Sequence, residues 1–321
     1  MYHILLSLSS LGPVKRLTGE KPVDTGGFFR YTVREEHSSI QNIPDRGMKS
    51  MTTNHDRSTF FRKAQCLVLA LMLGIFGPLA FAAPALADGV PAVIDLSDDG
   101  ITADYPGVYC EGSQLTITLP GEYLLRGTLS NGRIIVDCEQ EGKVRLYFGG
   151  ISVHCEDGPA LHIKKCAPRL TIDLVEGTEN ELSDGADHAD KQSKTNAVIF
   201  SKSDVTITGT GALTVRGAYR DGIVSKDDLR LKGGIINVEA AHNGIVGKDC
   251  VEIYDGIITV RAGNDGIKTT NDDAEWGYIF MEGGKVSITC GDDPFAYVHG
   301  ISLNGGAVST IVDASLKNTE D

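Results

Sequence analysis

The sequence predicts an all-β chain wound as a parallel β-helix with coils of about 22 residues. Three observations predict it. A phrase recurs at a fixed interval: Asp221-Gly222-Ile223-Val224-Ser225-Lys226-Asp227, then Asn243-Gly244-Ile245-Val246-Gly247-Lys248-Asp249, then Asp265-Gly266-Ile267-Lys268-Thr269-Thr270-Asn271, each 22 residues after the last. A second pattern recurs inside the units: Leu229-Arg230-Leu231-Lys232-Gly233-Gly234-Ile235-Ile236-Asn237-Val238 is answered by Val251-Glu252-Ile253-Tyr254-Asp255-Gly256-Ile257-Ile258-Thr259-Val260. Both consist of short alternating runs punctuated by Gly, Asp and Asn, which are strands and turns. No stretch carries a sustained helical stripe, and the leucine-rich consensus is missing, so one β unit stacks on copies of itself.

Of 321 residues, 43 are acidic and 30 basic. The first 87 hold 10 basic and 6 acidic side chains, which leaves 20 and 37 for residues 88–321 and a formal charge of −17 there. That balance disfavours a nucleic-acid binder, which needs a basic face, and also docking on an anionic membrane. It suits a collector of cations, although excess acid also simply keeps a secreted protein soluble.

Residues 1–50 mix charge, Pro and Ser without a core pattern. They are expected to be an upstream misreading of the start, with a genuine disordered extension as the alternative. Residues 51–87 read as a secretory signal: basic Arg62-Lys63, the apolar run Leu67 to Phe76, and Ala85-Leu86-Ala87 as the cleavage site before Asp88. The run is short for a membrane span, so no span is expected in the mature chain, and no lipobox accompanies it. Export predicts a secreted or extracellular protein with cell-surface association as a variant. Residues 88–321 are then one β-helical domain. Its six cysteines (Cys110, Cys138, Cys155, Cys166, Cys250 and Cys290) permit disulfides in an exported protein. Cys250 and Cys290, inside repeat strands, fit buried free thiols better.

From Ile101 to Leu182 short strands follow one another irregularly, as terminal coils of solenoids do. Asp184 to Thr195 is polar and predicts a long surface loop. Regularity begins at Ala197, where Ser201-Lys202-Ser203-Asp204-Val205-Thr206-Ile207 anticipates Ser225 to Leu231 at an offset of 24. After the core units, Asp293-Pro294-Phe295 precedes Ile301 to Val308 with matching spacing. Between Asn271 and Tyr278 the third unit carries six extra residues, including Asp272, Asp273, Glu275 and the only tryptophan, Trp276. The pattern fades into a polar tail after Val308, which predicts a chain that stops short of its natural end.

Stacking converts the repeat into columns. Ile223, Ile245, Ile267 and Phe295 should form an inward apolar ladder, and Gly222, Gly244 and Gly266 a corner without room for side chains. Asp221, Asn243, Asp265 and Asp293 make one polar column; Asp227, Asp249 and Asn271 make another, ending at His299. Carboxylates opposed across paired strands repel, unless they face water or share a cation. Calcium takes oxygen ligands at about 2.3–2.6 Å, so two ligands across one ion span about the 4.8 Å between stacked strands. Asp and Asn suit calcium better than softer metals. We therefore expect Ca2+ to be held by Asp221, Asp227, Asn243, Asp249, Asp265, Asn271, Asp272 and Asp293. Against this stands the plain role of Asp-Gly and Asn-Gly as turn dipeptides. Open calcium coordination would bridge protein carboxylates to a uronate. Lys226, Lys248 and Lys268 stand beside the acidic column, and Trp276 offers a ring for stacking on sugar; balancing local charge and packing the loop are the plainer roles for these four.

The Asp-Gly-Ile-x-Ser-Lys-Asp-Asp-Leu and Asn-Gly-Ile-x-Gly-Lys-Asp-x-Val phrases resemble the secreted bacterial carbohydrate-binding proteins of the pectate-lyase-like superfamily, across roughly Ile101 to Val308 and most strongly from Ser201 to Val260. The resemblance implies a right-handed β-helix, several calcium ions on one face, and binding of cellulose and polygalacturonate. Carried over, it makes Asp221, Asp227, Asn243, Asp249, Asp265 and Asn271 the calcium ligands. Asp293-Pro294-Phe295-Ala296 departs from the family's Asp-Gly-Ile-His, which weakens the last site.

Three functions are therefore expected in this order. The first is calcium-dependent, non-catalytic binding of an acidic or plant cell-wall polysaccharide. The second is a polysaccharide lyase acting by β-elimination, for which Arg216, Arg230, Arg261 and Lys248 are available as bases without an arrangement that selects one. The third is a structural surface protein. The composition and motifs leave the oligomeric state open.

Overall fold

The longest described strands bend in the same place, and the bend gives the coil its shape. Asp228–Ala240 and Cys250–Ala262 run along one face, break register with their neighbours between Leu231 and Ile235, and continue along a second face. Gly234 and Gly256 sit at this break with φ of +86° and +114°, a region that favours glycine. The computed structural model describes residues 4–7, 90–188 and 195–317, within a unit made of residues 1–18 and 84–321. It is an all-β solenoid of about eight turns with coils of roughly 24 residues. The expected period of 22 holds where the repeat is regular; insertions lengthen the other coils.

Each coil contributes to three faces. Face one stacks Gln114–Ile117, the start of Arg133–Glu141, Leu161–Ala167, Ala197–Ser201, Asp221–Ser225, Ile245–Gly247, Ile267–Thr269 and Phe295–Ala296, all parallel. Face two includes Leu170–Leu174, Val205–Gly209, the first part of the bent strands, Tyr278–Met281 and Gly300–Leu303. Face three includes Glu179–Asp184, Ala212–Gly217, the second part of the bent strands, Lys285–Cys290 and Ala307–Val312. Ile4–Ser7 pairs antiparallel with Ala307–Val312.

The core is the stack of inward residues. The expected ladder is present: Ile223 pairs with Ile245, Ile245 with Ile267 and Ile267 with Phe295, and it continues back through Ile199, Leu161 and Ile134. All but Phe295 are buried. At the next corner the expected crowding is also present. A Cβ on Gly244 would stand 2.3 Å from Val260 Cγ1 and 2.7 Å from Gly266 O, and Gly222 and Gly266 are as tightly enclosed.

Two expectations need amendment. The polar stretch from Asp184 is not all surface: Asp184 and His188 are buried, and Asp184 accepts from the backbone N–H of Ala218 at 2.7 Å while His188 Nε2 meets its other oxygen at 2.9 Å. The rings of His188 and Tyr219 stack at 4.2 Å. A polar sequence hid this because two polar residues were satisfied by each other rather than by water. Residues 189–194 of that loop lie outside the described residues. The six cysteines are free thiols, buried except for Cys110. The expected signal segment also lies outside the described residues.

Candidate functional site

Both predicted polar columns exist, and they differ. The first runs along the corner between faces three and one. Asp221, Asn243 and Asp265 are buried, and Asp293, one coil on, is exposed. Each side chain caps the backbone of the next coil. Asp221 Oδ1 accepts from Asn243 N at 3.0 Å and from Asn243 Nδ2 at 2.9 Å; Asn243 Oδ1 accepts from Asp265 N at 3.4 Å; Asp265 Oδ1 accepts from Asp293 N at 3.2 Å. His242 Nδ1 approaches Asp221 Oδ1 at 3.0 Å, and Asn196 donates to Oδ2. Lys268 donates to Asp265 Oδ2 at 2.8 Å. The oxygens of this column are thus occupied by N–H donors that tie coil to coil.

The second column runs along the corner between faces one and two, and it is more acidic than the sequence reading proposed. Oxygens of Asp204, Asp227 and Asp228 lie within 4.8 Å of one another. Burial pushes the Asp227 carboxyl up to about 7, helped by the charge of Asp204 and by a hydrogen bond to Asp249. Asn271 Nδ2 donates to Asp249 Oδ1 from the following coil, and Asn271 Oδ1 accepts from Asp273 N at 3.0 Å. Cys250 Sγ donates to Asp228 Oδ1 at 3.0 Å; burial raises that thiol well above the ordinary range.

Asp204 and Asp228 are the residues that sequence reasoning missed, and Arg230, named there only as one available base, belongs with them. Val205 pairs with Leu229, so Asp204 stands directly below Asp228, and the echo at an offset of 24 carried that signal. Arg230 binds the cluster from face two. Its Nη1 is 3.2 Å from Asp204 Oδ2, its Nε is 2.6 Å from Glu252 Oε2, and its Nη2 donates to Asp228. Three carboxylates hold this guanidinium protonated even against burial. The cluster fits a hard cation by donor type and spacing: three carboxylates with oxygens within 4.8 Å of one another, one of them raised by burial and by its acidic neighbours.

The remaining expected residues surround this corner unevenly. Lys226 Nζ lies 5.5 Å from the Phe200 ring centroid. Lys248 is exposed, 3.8 Å from Asp249 Oδ1. Asp272 is exposed and its carbonyl faces the exposed His299 Nε2 at 3.0 Å, which ties His299 to the inserted loop. Trp276 is half-buried in that loop, its N–H held by Asp273 O at 2.9 Å. Lys268 belongs to the first column instead.

A stack of parallel coils with a carboxylate-lined corner defines a binding solenoid, a long ridged surface rather than a closed pocket. Residues 111–321 match the family described as carbohydrate-binding domain-containing protein, and the chain belongs to that family. A relative of the same description from Acetivibrio thermocellus is 38% identical over 255 residues, which cover 78% of this chain and 89% of the relative. Among solved structures, the polysaccharide lyase-like protein from C. thermocellum, in a gadolinium derivative, is similar at a TM-score of 0.62 and 33% identity, covering 70% of this chain and 96% of that one. No helix among the described residues is long and apolar enough to cross a membrane.

Proposed function

We propose that this protein is an exported, non-catalytic binder of acidic polysaccharide that holds its ligand through calcium at the corner between faces one and two. The observation that carries the reading is the approach of Asp204, Asp227 and Asp228 oxygens to within 4.8 Å of one another, twice a calcium–oxygen distance. Asp249 and Asn271 supply further oxygens from the coils above. A calcium ion there would offer open positions to a uronate carboxylate, and Lys248 stands exposed beside them to pair with the next one. Trp276, on the inserted loop next to Asn271, suits stacking on a sugar ring. Both columns carry hydrogen-bond donors on their oxygens; the second is the one where three carboxylates converge, and we place the ions there. Polygalacturonate is the acidic ligand of choice, with cellulose as the neutral one.

A lyase reading draws on the description of the same neighbour as polysaccharide lyase-like. Its base would have to be Arg230, the arginine at this corner. A guanidinium held by Asp204, Asp228 and Glu252 is a poor proton acceptor, and this favours binding over elimination.

Affinity electrophoresis in polygalacturonate gels tests the reading. Added calcium should deepen the retardation, EDTA should remove that gain, and Asp227→Asn should mimic EDTA. Release of unsaturated, ultraviolet-absorbing product would replace the binder with the lyase, and indifference to calcium would remove the ion.

A further inference from the structure

A second feature lies at the opposite corner, where face three turns into face one. There the turns are built from small residues. Gly217, Ala241 and Gly263 stack on successive coils, with Ala241 N donating to Gly217 O at 2.8 Å. Their lack of bulk leaves an open trough of about 480 Å³ along the solenoid axis. Arg216, Glu239 and Arg261 stand in register along one side of it, one per coil, and Leu316 from the C-terminal turn lies at one end.

Residues 88–321 carry a formal −17, yet two arginines face one groove with a single carboxylate between them. Arg216 is shared, 2.6 Å from Glu181 and 3.6 Å from Glu239. Arg261 is exposed and makes no direct ion pair among the described residues, with the Asp313 carboxylate near enough to feel its charge. The volume lies within the usual range of ligand sites, about 300–1,000 Å³. A planar guanidinium offers a carboxylate two parallel N–H donors.

We infer that this trough is a second glycan subsite, independent of calcium, in which Arg216 and Arg261 take the carboxylates of alternate uronate units of an acidic polysaccharide. The inference rests on the binding reading above but not on its ion. Two coils separate the arginines by about 9.6 Å, close to two pyranose units of an extended chain. In a twofold uronan the next-but-one carboxylates point the same way and the intervening one points away, which is where Glu239 stands. The arrangement favours an acidic polymer over a neutral one, because a uronate can pair with exposed Arg261 and compete with Glu181 and Glu239 for Arg216, whereas hydroxyl groups offer these cations nothing that water does not already supply.

The test is retardation of the full chain in gels of polygalacturonate and of neutral hydroxyethylcellulose, each with calcium or with EDTA. Wild type should keep a residual, salt-sensitive affinity for polygalacturonate in EDTA. Arg216→Gln/Arg261→Gln should reduce that residual at least tenfold while keeping the calcium-dependent gain, and Glu239→Gln should strengthen it. Ala241→Leu, which fills the trough without changing its charge, should act like the arginine pair, with circular dichroism confirming the fold. Equal affinity of wild type and the double variant in EDTA, or no residual affinity at all, overturns the subsite while the calcium reading stands. Failure of wild type to bind any glycan with or without calcium overturns both.

Discussion

Asn243 gives two N–H groups to one oxygen of Asp221, the residue one coil below it: the backbone N at 3.0 Å and Nδ2 at 2.9 Å. The Asp221 side chain is almost fully enclosed, at 4% exposure. Its oxygens therefore act as a staple between coils. Asp221→Ala strands the Asn243 backbone N–H and Asn196 Nδ2, and leaves Asn243 Nδ2 with only His242 Nδ1. Each buried donor left without a partner costs about 1–3 kcal/mol, so urea denaturation should show a loss of about 3 kcal/mol or more. The loss should be the same with calcium and with EDTA. A loss that calcium alone governs would mean that Asp221 is an ion ligand and not a staple.

The glycine column predicts a sharper contrast. Gly244→Ala places a methyl 2.3 Å from Val260 Cγ1 and 2.7 Å from a backbone oxygen that cannot move without shifting the coil. Overpacking of this kind costs about 1–3 kcal/mol. Gly300, at the start of a face-two strand, has nothing within 4 Å of its missing Cβ. Gly300→Ala should leave the denaturation midpoint unchanged or raise it slightly. Equal effects at the two positions would refute the enclosed corner.

These features show what a linear sequence reveals of a solenoid. Where the period is constant, position in the phrase is position in space. Ile223, Ile245 and Ile267 were legible as core and Asp221 and Asn243 as one column for that reason. The site was legible only in part. Asp227 and Asp249 recur at 22 residues and were found, whereas Asp204 and Asp228 recur at 24 and stop at Cys250, so the column they start changes chemistry after two coils. Arg230 looks like any outward strand residue until its three carboxylates are seen around it. The trough was invisible because its lining is glycine and alanine, which in sequence mark only a turn.

Thiol chemistry offers a third prediction. Among the described cysteines only Cys110 is exposed; Cys138, Cys155, Cys166, Cys250 and Cys290 are buried and free, and burial raises the thiols of all five. Thiolate is the reactive form. Brief alkylation of native protein followed by peptide mapping should place label at Cys110 and leave those five unmodified until denaturant is added. Fast native labelling of Cys250 would mean that the corner beside Asp228 opens in solution.

The last prediction concerns pH, where two groups oppose each other. Burial and the neighbouring carboxylates push the Asp227 carboxyl from 3.8 up to about 7. The folded state therefore holds this proton more tightly than the unfolded chain, and Asp227 lowers stability as pH rises from about 4 to 7. His162 does the reverse. Burial, with Lys164 and Lys202 nearby, brings its imidazole from 6.5 down to about 4, its Nε2 has no partner, and its ring meets Phe200 edge-on at 5.7 Å. The folded state resists that proton, so His162 lowers stability as pH falls from about 6.5 to 4. In EDTA the two slopes partly cancel in wild type. His162→Phe should unmask a protein that melts higher as it is acidified from pH 7 to 5, and Asp227→Asn one that melts lower over the same range. Calcium should stabilise wild type more at pH 7.5 than at pH 5.5, because the ion competes with the Asp227 proton. Asp227→Asn should lose most of that calcium effect. Parallel pH profiles for the two variants, or a calcium effect independent of pH, would mean that Asp227 is not the crowded carboxyl of this corner.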